Sequence, residues 1–151
     1  MIDIRNLIKD YLVEAKLMQL ATCVDGQPWT CNVWFAADDN LNIYWFSSLT
    51  RRHSEEVFKN NKVAAAIALP QTPKDPPVGL QLQGTAELLM DWVDIEKAIS
   101  VYADRIFARE KIDEFMKSEA RPHRFYRIRP THFVLFDAVN FPDNSRQEYI
   151  P

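Results

Sequence analysis

A chain of 151 residues and 17.6 kDa has the length of one ordinary domain, and at that size roughly 70% of the unfolded chain's surface can be buried. Hydrophobic residues at 47% and charged residues at 26% exclude disordered, collagen-like and low-complexity architectures. Eighteen Lys and Arg against 21 Asp and Glu, a formal charge of -3, leave no global field to hold a polyanion, so nucleic acid is not an expected partner and any anion site must be local.

No apolar run reaches the length of about eighteen residues needed to span a bilayer, and no membrane association is expected. The start, Met1-Ile2-Asp3-Ile4-Arg5, lacks the apolar stretch of a signal peptide, so the expected location is the cytoplasm. Cys23 and Cys31 are too few for a disulfide framework. With no further Cys or His at ligand spacing, no metal site is expected either.

Asp3 is an N-cap for a helix in which Ile4, Leu7, Ile8, Tyr11 and Leu12 fall at helical spacing, giving an N-terminal helix within 1–15. Two strands follow, 17–24 and 29–37, joined through Asp25-Gly26-Gln27-Pro28, because Asp-Gly between apolar runs is a strong hairpin signal. Beyond Asp38-Asp39-Asn40 the run 41–47, with Ile43, Tyr44, Trp45 and Phe46, completes a three-stranded meander. A short helix is predicted over 54–59, then an apolar run 63–69 that reads as a strand buried on both faces. Four prolines within 70–77 make a loop.

Leu80, Leu82, Ala86 and Leu88 alternate with Gln81, Gln83, Thr85 and Glu87, so one face of that strand is core and the other wet or functional. Asp91 caps a helical insert, 91–118, in which Trp92, Ile95, Ile99, Tyr102 and Ile106 form an apolar stripe. Segments 125–129 and 131–139 bracket Pro130 as two further strands, and 142–151 is a polar tail. Six or seven strands with hairpin signals and few helices predict a mainly β, antiparallel, Greek-key-like split barrel built from one domain, 1–151.

The most informative segment is Trp45-Phe46-Ser47-Ser48-Leu49-Thr50-Arg51-Arg52-His53-Ser54, where a strand ends in hydroxyls, then two arginines, then a helix. Free N–H groups at a helix start favour negative charge, hydroxyls donate hydrogen bonds, and Arg grips phosphate oxygens in pairs. The plainer account has Thr50 or Ser54 capping the helix beneath solvated arginines. The order of segments along the rest of the chain bears on the choice.

Leu20-Ala21-Thr22-Cys23, Asp25-Gly26-Gln27-Pro28, Val33-Trp34-Phe35, Ser47-Ser48-Leu49-Thr50-Arg51-Arg52, Asn60-Asn61-Lys62-Val63-Ala64 and Leu80-Gln81-Leu82-Gln83-Gly84-Thr85-Ala86 together resemble the pyridoxamine 5'-phosphate oxidase-like FMN-binding split-barrel superfamily. The resemblance covers roughly residues 17 to 90, with a weaker echo in Tyr126-Arg127-Ile128-Arg129-Pro130. It implies a homodimer with FMN at the subunit interface. The flavin phosphate would lie at Thr50, Arg51 and Arg52, the ring against Asn32, Val33, Trp34 and Phe35, with Ser47, Ser48 and Gln81 completing the site and His53 as a further candidate.

Where oxidases proper carry an Arg and a Lys on the second strand, this chain has Cys31 and Ala36; Val78-Gly79 replaces their Arg-Gln pair, and the C-terminal Trp and Arg signature is missing. Pyridoxamine phosphate oxidation is therefore not expected. A flavin suits a chain without an evident nucleophile or acid–base pair, since the cofactor transfers hydride or electrons and the protein positions it. The expected function is that of an FMN-binding flavoprotein, an oxidoreductase acting on a small molecule. The alternatives are a non-catalytic flavin-, haem- or deazaflavin-binding module and a structural dimer that has lost its cofactor.

The remaining candidates have structural readings. Cys23 and Cys31 would face one another in a hairpin whose paired numbers sum to 54, but no basic residue adjoins either, and packing is the expected role. Arg127 and Arg129 share a strand face with Phe125, and pairing with nearby acids is the simpler account of that basic run.

Overall fold

The computed structural model describes residues 1–151. Seven antiparallel strands form one sheet in the order β3-β2-β1-β4-β5-β6-β7: β1 (Leu17–Val24), β2 (Gln27–Ala37), β3 (Ile43–Ser48), β4 (Lys62–Ile67), β5 (Val78–Leu88), β6 (His123–Asp137) and β7 (Arg146–Tyr149). Pairing of β3 with the first half of β6 closes six strands into a ring, and β7 lies outside it along the second half of β6. Closure pairs the edge of β3 that would otherwise stand open with the first half of β6.

Alternation along each strand fills the ring. Met18, Leu20, Val33, Phe35, Ile43, Trp45, Ile67, Leu80, Leu82, Ile128, Phe133 and Leu135 point inward and are buried. Trp45 stacks on Tyr126 with ring centroids 4.9 Å apart. Helix α1 (Ile4–Glu14), capped by Asp3, packs its apolar stripe on one end of the barrel, where the Tyr11 hydroxyl accepts from the Leu69 N–H. Helix α2 (Arg52–Lys59) covers the opposite end, beside the tip of the β1–β2 hairpin. Helices α3 (Trp92–Tyr102) and α4 (Arg109–Lys117) bury a second core of Ala36, Tyr44, Phe46 and Phe125 against the outer face of β2, β3 and β6.

Several sequence expectations are corrected. Only Asp25 and Gly26 form the hairpin turn, both at positive φ (52° and 75°), so β2 starts at Gln27 and not at Trp29. Paired residues sum to 51, which sets Cys23 opposite Pro28 and Cys31 opposite Leu20, so the two thiols do not meet. The run 63–69 is not buried on both faces: in β4 Val63, Ala65 and Ile67 point inward while Ala64 and Ala66 are exposed. Alanine is compatible with either environment, so hydrophobicity alone misjudged its face. In the helical insert, which divides into two helices ahead of Ile112, Trp92 heads the apolar stripe but is exposed.

Pro130 does not divide two strands. β6 runs through it, because a bulge lets Gly84 pair with Pro130 and Gln83 with His132, leaving Thr131 as the extra residue. That extra residue reverses the alternation, so Tyr126 and Ile128 before it and Phe133 and Leu135 after it all face the same interior. The polar tail is also more than a tail: Arg146–Tyr149 extends the sheet as β7.

Candidate functional site

One outer face is left uncovered by helices. Across it the ladder sets Asn32 beside Gln19, Gln19 beside Ala66, Ala66 beside Gln81 and Gln81 beside Val134. The next row runs Thr30, Ala21, Ala64, Gln83, His132. This face is flat and made of small and amide side chains, with a shallow cavity of about 400 Å³ across these rows. Trp34, half exposed, lies along the same face of β2 beyond Asn32.

The predicted site residues fall into separate groups. Asn32 and Trp34 are exposed on the outer face, whereas Val33 and Phe35 point into the barrel, at 8% and 0% exposure, so only their backbone can meet a ligand. Gln81 shares the row of Asn32 but lies three strands away, about 14 Å at ordinary strand spacing. Ser47, Ser48, Thr50, Arg51 and Arg52 are brought together where β3 passes into α2 at the end of the barrel.

Hydroxyls organise that junction, although not as caps. The α2 N-cap is Arg51, whose side chain makes no capping bond. The Ser48 hydroxyl lies 3.1 Å from that of Thr50, and Ser54 Oγ donates to the Ser48 carbonyl at 2.8 Å. Ser47 Oγ is 2.9 Å from His53 Nε2, with both residues buried. Burial and then the adjacent Arg51 charge push the His53 imidazole below its usual range, so it is neutral at pH 7.

The two arginines differ. Arg51 is exposed and has no ion-pair partner. Arg52 lies with its guanidinium carbon 3.9 Å from the centroid of the Trp29 ring and donates from Nε to Glu56 Oε1 at 2.8 Å. Glu56 is buried at 8% exposure, and its other oxygen accepts from the Thr22 hydroxyl. The Thr22 bond and then the Arg52 bond hold its carboxyl below the ordinary range. Sequence reasoning missed Glu56, Thr22 and Trp29; the four-residue spacing of Arg52 and Glu56 was the available signal.

The positions at which Arg and Lys were expected by resemblance offer no charge to a ligand, and only Cys31 is partly exposed. Ala36 is fully buried under the α3–α4 layer, and Cys31, facing Leu20, packs against the barrel core. Burial, with the nearby Glu56 charge, pushes the Cys31 thiol up to about 11, which leaves it protonated and unreactive. No three His, Cys, Asp or Glu side chains are grouped to hold a metal ion. No helix is long and apolar enough to cross a membrane. In β6, Arg127 pairs with Glu87 at 2.6 Å and Asp94 at 3.0 Å, and Arg129 pairs with Glu87, so this basic run is satisfied internally.

A cavity of about 640 Å³ lies on the β5 flank of α2 between Leu49, Val57, Phe58, Leu88 and Tyr126. Its lining is mostly apolar, and the side chains there that suit a phosphate, Ser54 and Lys59, share it with the carboxylates of Glu55 and Glu87. The exposed Arg51, Arg52 and Thr50 at the β3–α2 junction, backed by the buried Ser48 hydroxyl, together with the open amide face are the better-equipped site.

Comparison with known proteins agrees with this fold. Residues 4–136 match the family described as pyridoxamine 5'-phosphate oxidase. No curated protein matches the sequence. Among solved structures, a haem-binding protein from Mycobacterium smegmatis superposes with a TM-score of 0.79 at 14% identity, covering 99% of this chain and 59% of the other. This chain thus spans little more than half of that protein. The haem storage protein HutZ from Vibrio cholerae (TM-score 0.69, 20% identity, 85% of this chain and 91% of the other) and an FAD-binding protein from Mesorhizobium loti (0.63, 23%, 85% and 88%) share the fold.

Proposed function

Because the chain belongs to the pyridoxamine 5'-phosphate oxidase-like superfamily, we propose that it is an FMN-binding flavoprotein and an oxidoreductase for a small molecule, working as a homodimer. The observation that carries the reading is the β3–α2 junction. Unpaired Arg51, the unpaired terminal nitrogens of Arg52, the exposed Thr50 hydroxyl and the Ser48 hydroxyl behind it make a donor set whose charge and chemistry suit a phosphate monoester. The donors therefore fit FMN. Bound there, the flavin would supply hydride or electron transfer, and the chain's own residues would hold and orient it.

Trp34 and the exposed β2 backbone edge of the open face would support the ring. The separation of Gln81 from Asn32 favours a dimer, since one protomer's Gln81 is too distant to serve a ring lying on its own β2. A second copy laid on the flat Ala64, Ala66 and Gln81 face would cover apolar methyls and bring Gln81 to the neighbouring site. The buried Ala36 and the uncharged Cys31, standing where cations were expected, argue against pyridoxamine phosphate as the substrate. The cytoplasm is the proposed location.

A second reading is haem binding, supported by the partly exposed His132 on the open face, whose Nε2 lies 3.0 Å from Glu148. Titration with FMN separates the two. Replacing both Arg51 and Arg52 with Ala should weaken FMN binding by about 100-fold or more, with an unchanged far-ultraviolet circular dichroism spectrum, because two charge-assisted contacts are lost. Unchanged affinity in that variant rejects the phosphate assignment.

A further inference from the structure

We propose that Glu56 is a positioning residue for Arg52, and that Glu56 and Trp29 together aim the free end of this guanidinium at the phosphate. The inference rests on the phosphate reading above and adds to it the device that sets the arginine's geometry. Arg52 is half exposed, and a free arginine on a helix surface samples many rotamers, so that fixing one geometry costs side-chain entropy.

Two contacts remove that freedom. Glu56, one turn along α2, takes the Nε–H, and the Trp29 ring lies under the guanidinium plane. Neither contact uses the terminal nitrogens, which have no hydrogen-bond or ion-pair partner. They remain as the parallel pair of donors that phosphate recognition needs. Glu56 is itself fixed, since its second oxygen accepts from Thr22, buried at 3% exposure on β1. The chain of contacts therefore runs from the barrel wall through Thr22 and Glu56 to Arg52. It also sets the local charge: Glu56 offsets Arg52, and Arg51 is left as the uncompensated cation of the junction.

The position of Glu56 separates positioning from direct contact. A carboxylate facing a phosphate would repel it, whereas a carboxylate placed behind the guanidinium orients it, and only the first arrangement predicts that removing Glu56 strengthens phosphate binding. Binding of FMN and of riboflavin, which differ by the phosphate alone, is measured by quenching of flavin fluorescence in the wild type and in Arg52→Ala, Glu56→Ala, Glu56→Gln and Trp29→Leu. The ratio of the two affinities is the readout.

Arg52→Ala should lower the preference for FMN by about 10- to 100-fold. Glu56→Ala and Trp29→Leu should each lower it by about tenfold in the wild-type background and leave it unaltered when Arg52 is already Ala. Glu56→Gln, which keeps an oxygen to accept from Nε, should retain the preference. If Arg52→Ala leaves the preference unchanged, the phosphate reading falls and this inference with it. If Arg52→Ala lowers it while Glu56→Ala and Trp29→Leu do not, or if Glu56→Ala raises it, the positioning role alone is overturned. Should Glu56→Ala fail to fold, Trp29→Leu, altered from the exposed side, decides the matter by the same criterion.

Discussion

Gly84 lies where β5 meets the β6 bulge, and its replacement by Ala is the sharpest test of that geometry. A Cβ built there would sit 2.4 Å from the Arg129 carbonyl oxygen, 2.9 Å from Pro130 Cα and 3.0 Å from the Arg129 carbonyl carbon, whereas ordinary contact begins near 3.4 Å. The overlap with the oxygen is about 1 Å, and all three atoms are backbone, so no side chain can rotate away. The β5–β6 ladder must give instead, and it is the longest pairing in the barrel, running from Val78 to Leu88. Overpacking of a well-packed site costs about 1–3 kcal/mol, and a backbone clash belongs at the upper end. At about 2–4 °C per kcal/mol for a chain of this size, Gly84→Ala should melt about 6–12 °C below the wild type. Gly79→Ala is the internal control: its Cβ meets nothing closer than the Ile67 carbonyl oxygen at 3.9 Å, and it should melt within about 2 °C of the wild type or above it. Thermal melts followed by circular dichroism decide the point. Equal midpoints for the two variants would refute the close approach of β5 and β6.

Three further predictions concern other parts of the molecule. Arg105 donates to the Leu12 and Ala15 carbonyls at 3.0 Å each and to that of Val13, satisfying the end of α1, so Arg105→Met should cost about 1.5–3 kcal/mol and raise amide exchange in α1; unchanged exchange would contradict it. His53 is held below its usual range by burial and by Arg51, so the unfolded chain takes a proton that the folded one refuses. Its contribution is therefore fully present above about pH 6.5 and is lost as pH falls from there towards the folded value, with a limiting slope of about 1.4 kcal/mol per pH unit. Denaturant midpoints between pH 5 and 8 should show that fall in the wild type and a flatter profile in His53→Gln; parallel profiles would rule it out. Ala66→Arg, on the open face, should leave the melting temperature within about 2 °C but convert the proposed dimer to a monomer by light scattering, and a wild type that is already monomeric would end the dimer proposal.

The barrel was legible in the sequence where alternation and turn chemistry agreed. Asp25-Gly26 announced the first hairpin, and Leu80 to Leu88 declared their inner and outer faces directly. Legibility failed where one residue served two demands. Pro130 reads as a strand break because proline donates no ladder bond, yet the bulge leaves it opposite Gly84 without needing that donor. Ala64 and Ala66 carry too little polarity to reveal that they face outward, and the β7 residues Arg146 to Tyr149 are polar because they pair at the margin of the sheet.

The junction of β3 and α2 was recognisable from its hydroxyls and arginines, which are local in sequence. What the two arginines do was not. Arg51 and Arg52 are chemically identical neighbours, set apart by the local pairing of Arg52 with Glu56 one turn along α2 and by two tertiary contacts, that of Arg52 with Trp29 on β2 and that of Glu56 with Thr22 on β1. The inward direction of Val33 and Phe35 follows from the barrel's curvature and closure, so a strand assigned to ligand contact in sequence turns out to offer it only alternate side chains.

The measurement that bears most directly on the central claim is a visible absorption spectrum of the purified protein, taken as isolated and again after addition of FMN and gel filtration. The account predicts a flavin spectrum that stays with the protein fraction. A colourless protein that releases all added FMN, or a haem spectrum in place of the flavin one, would contradict it.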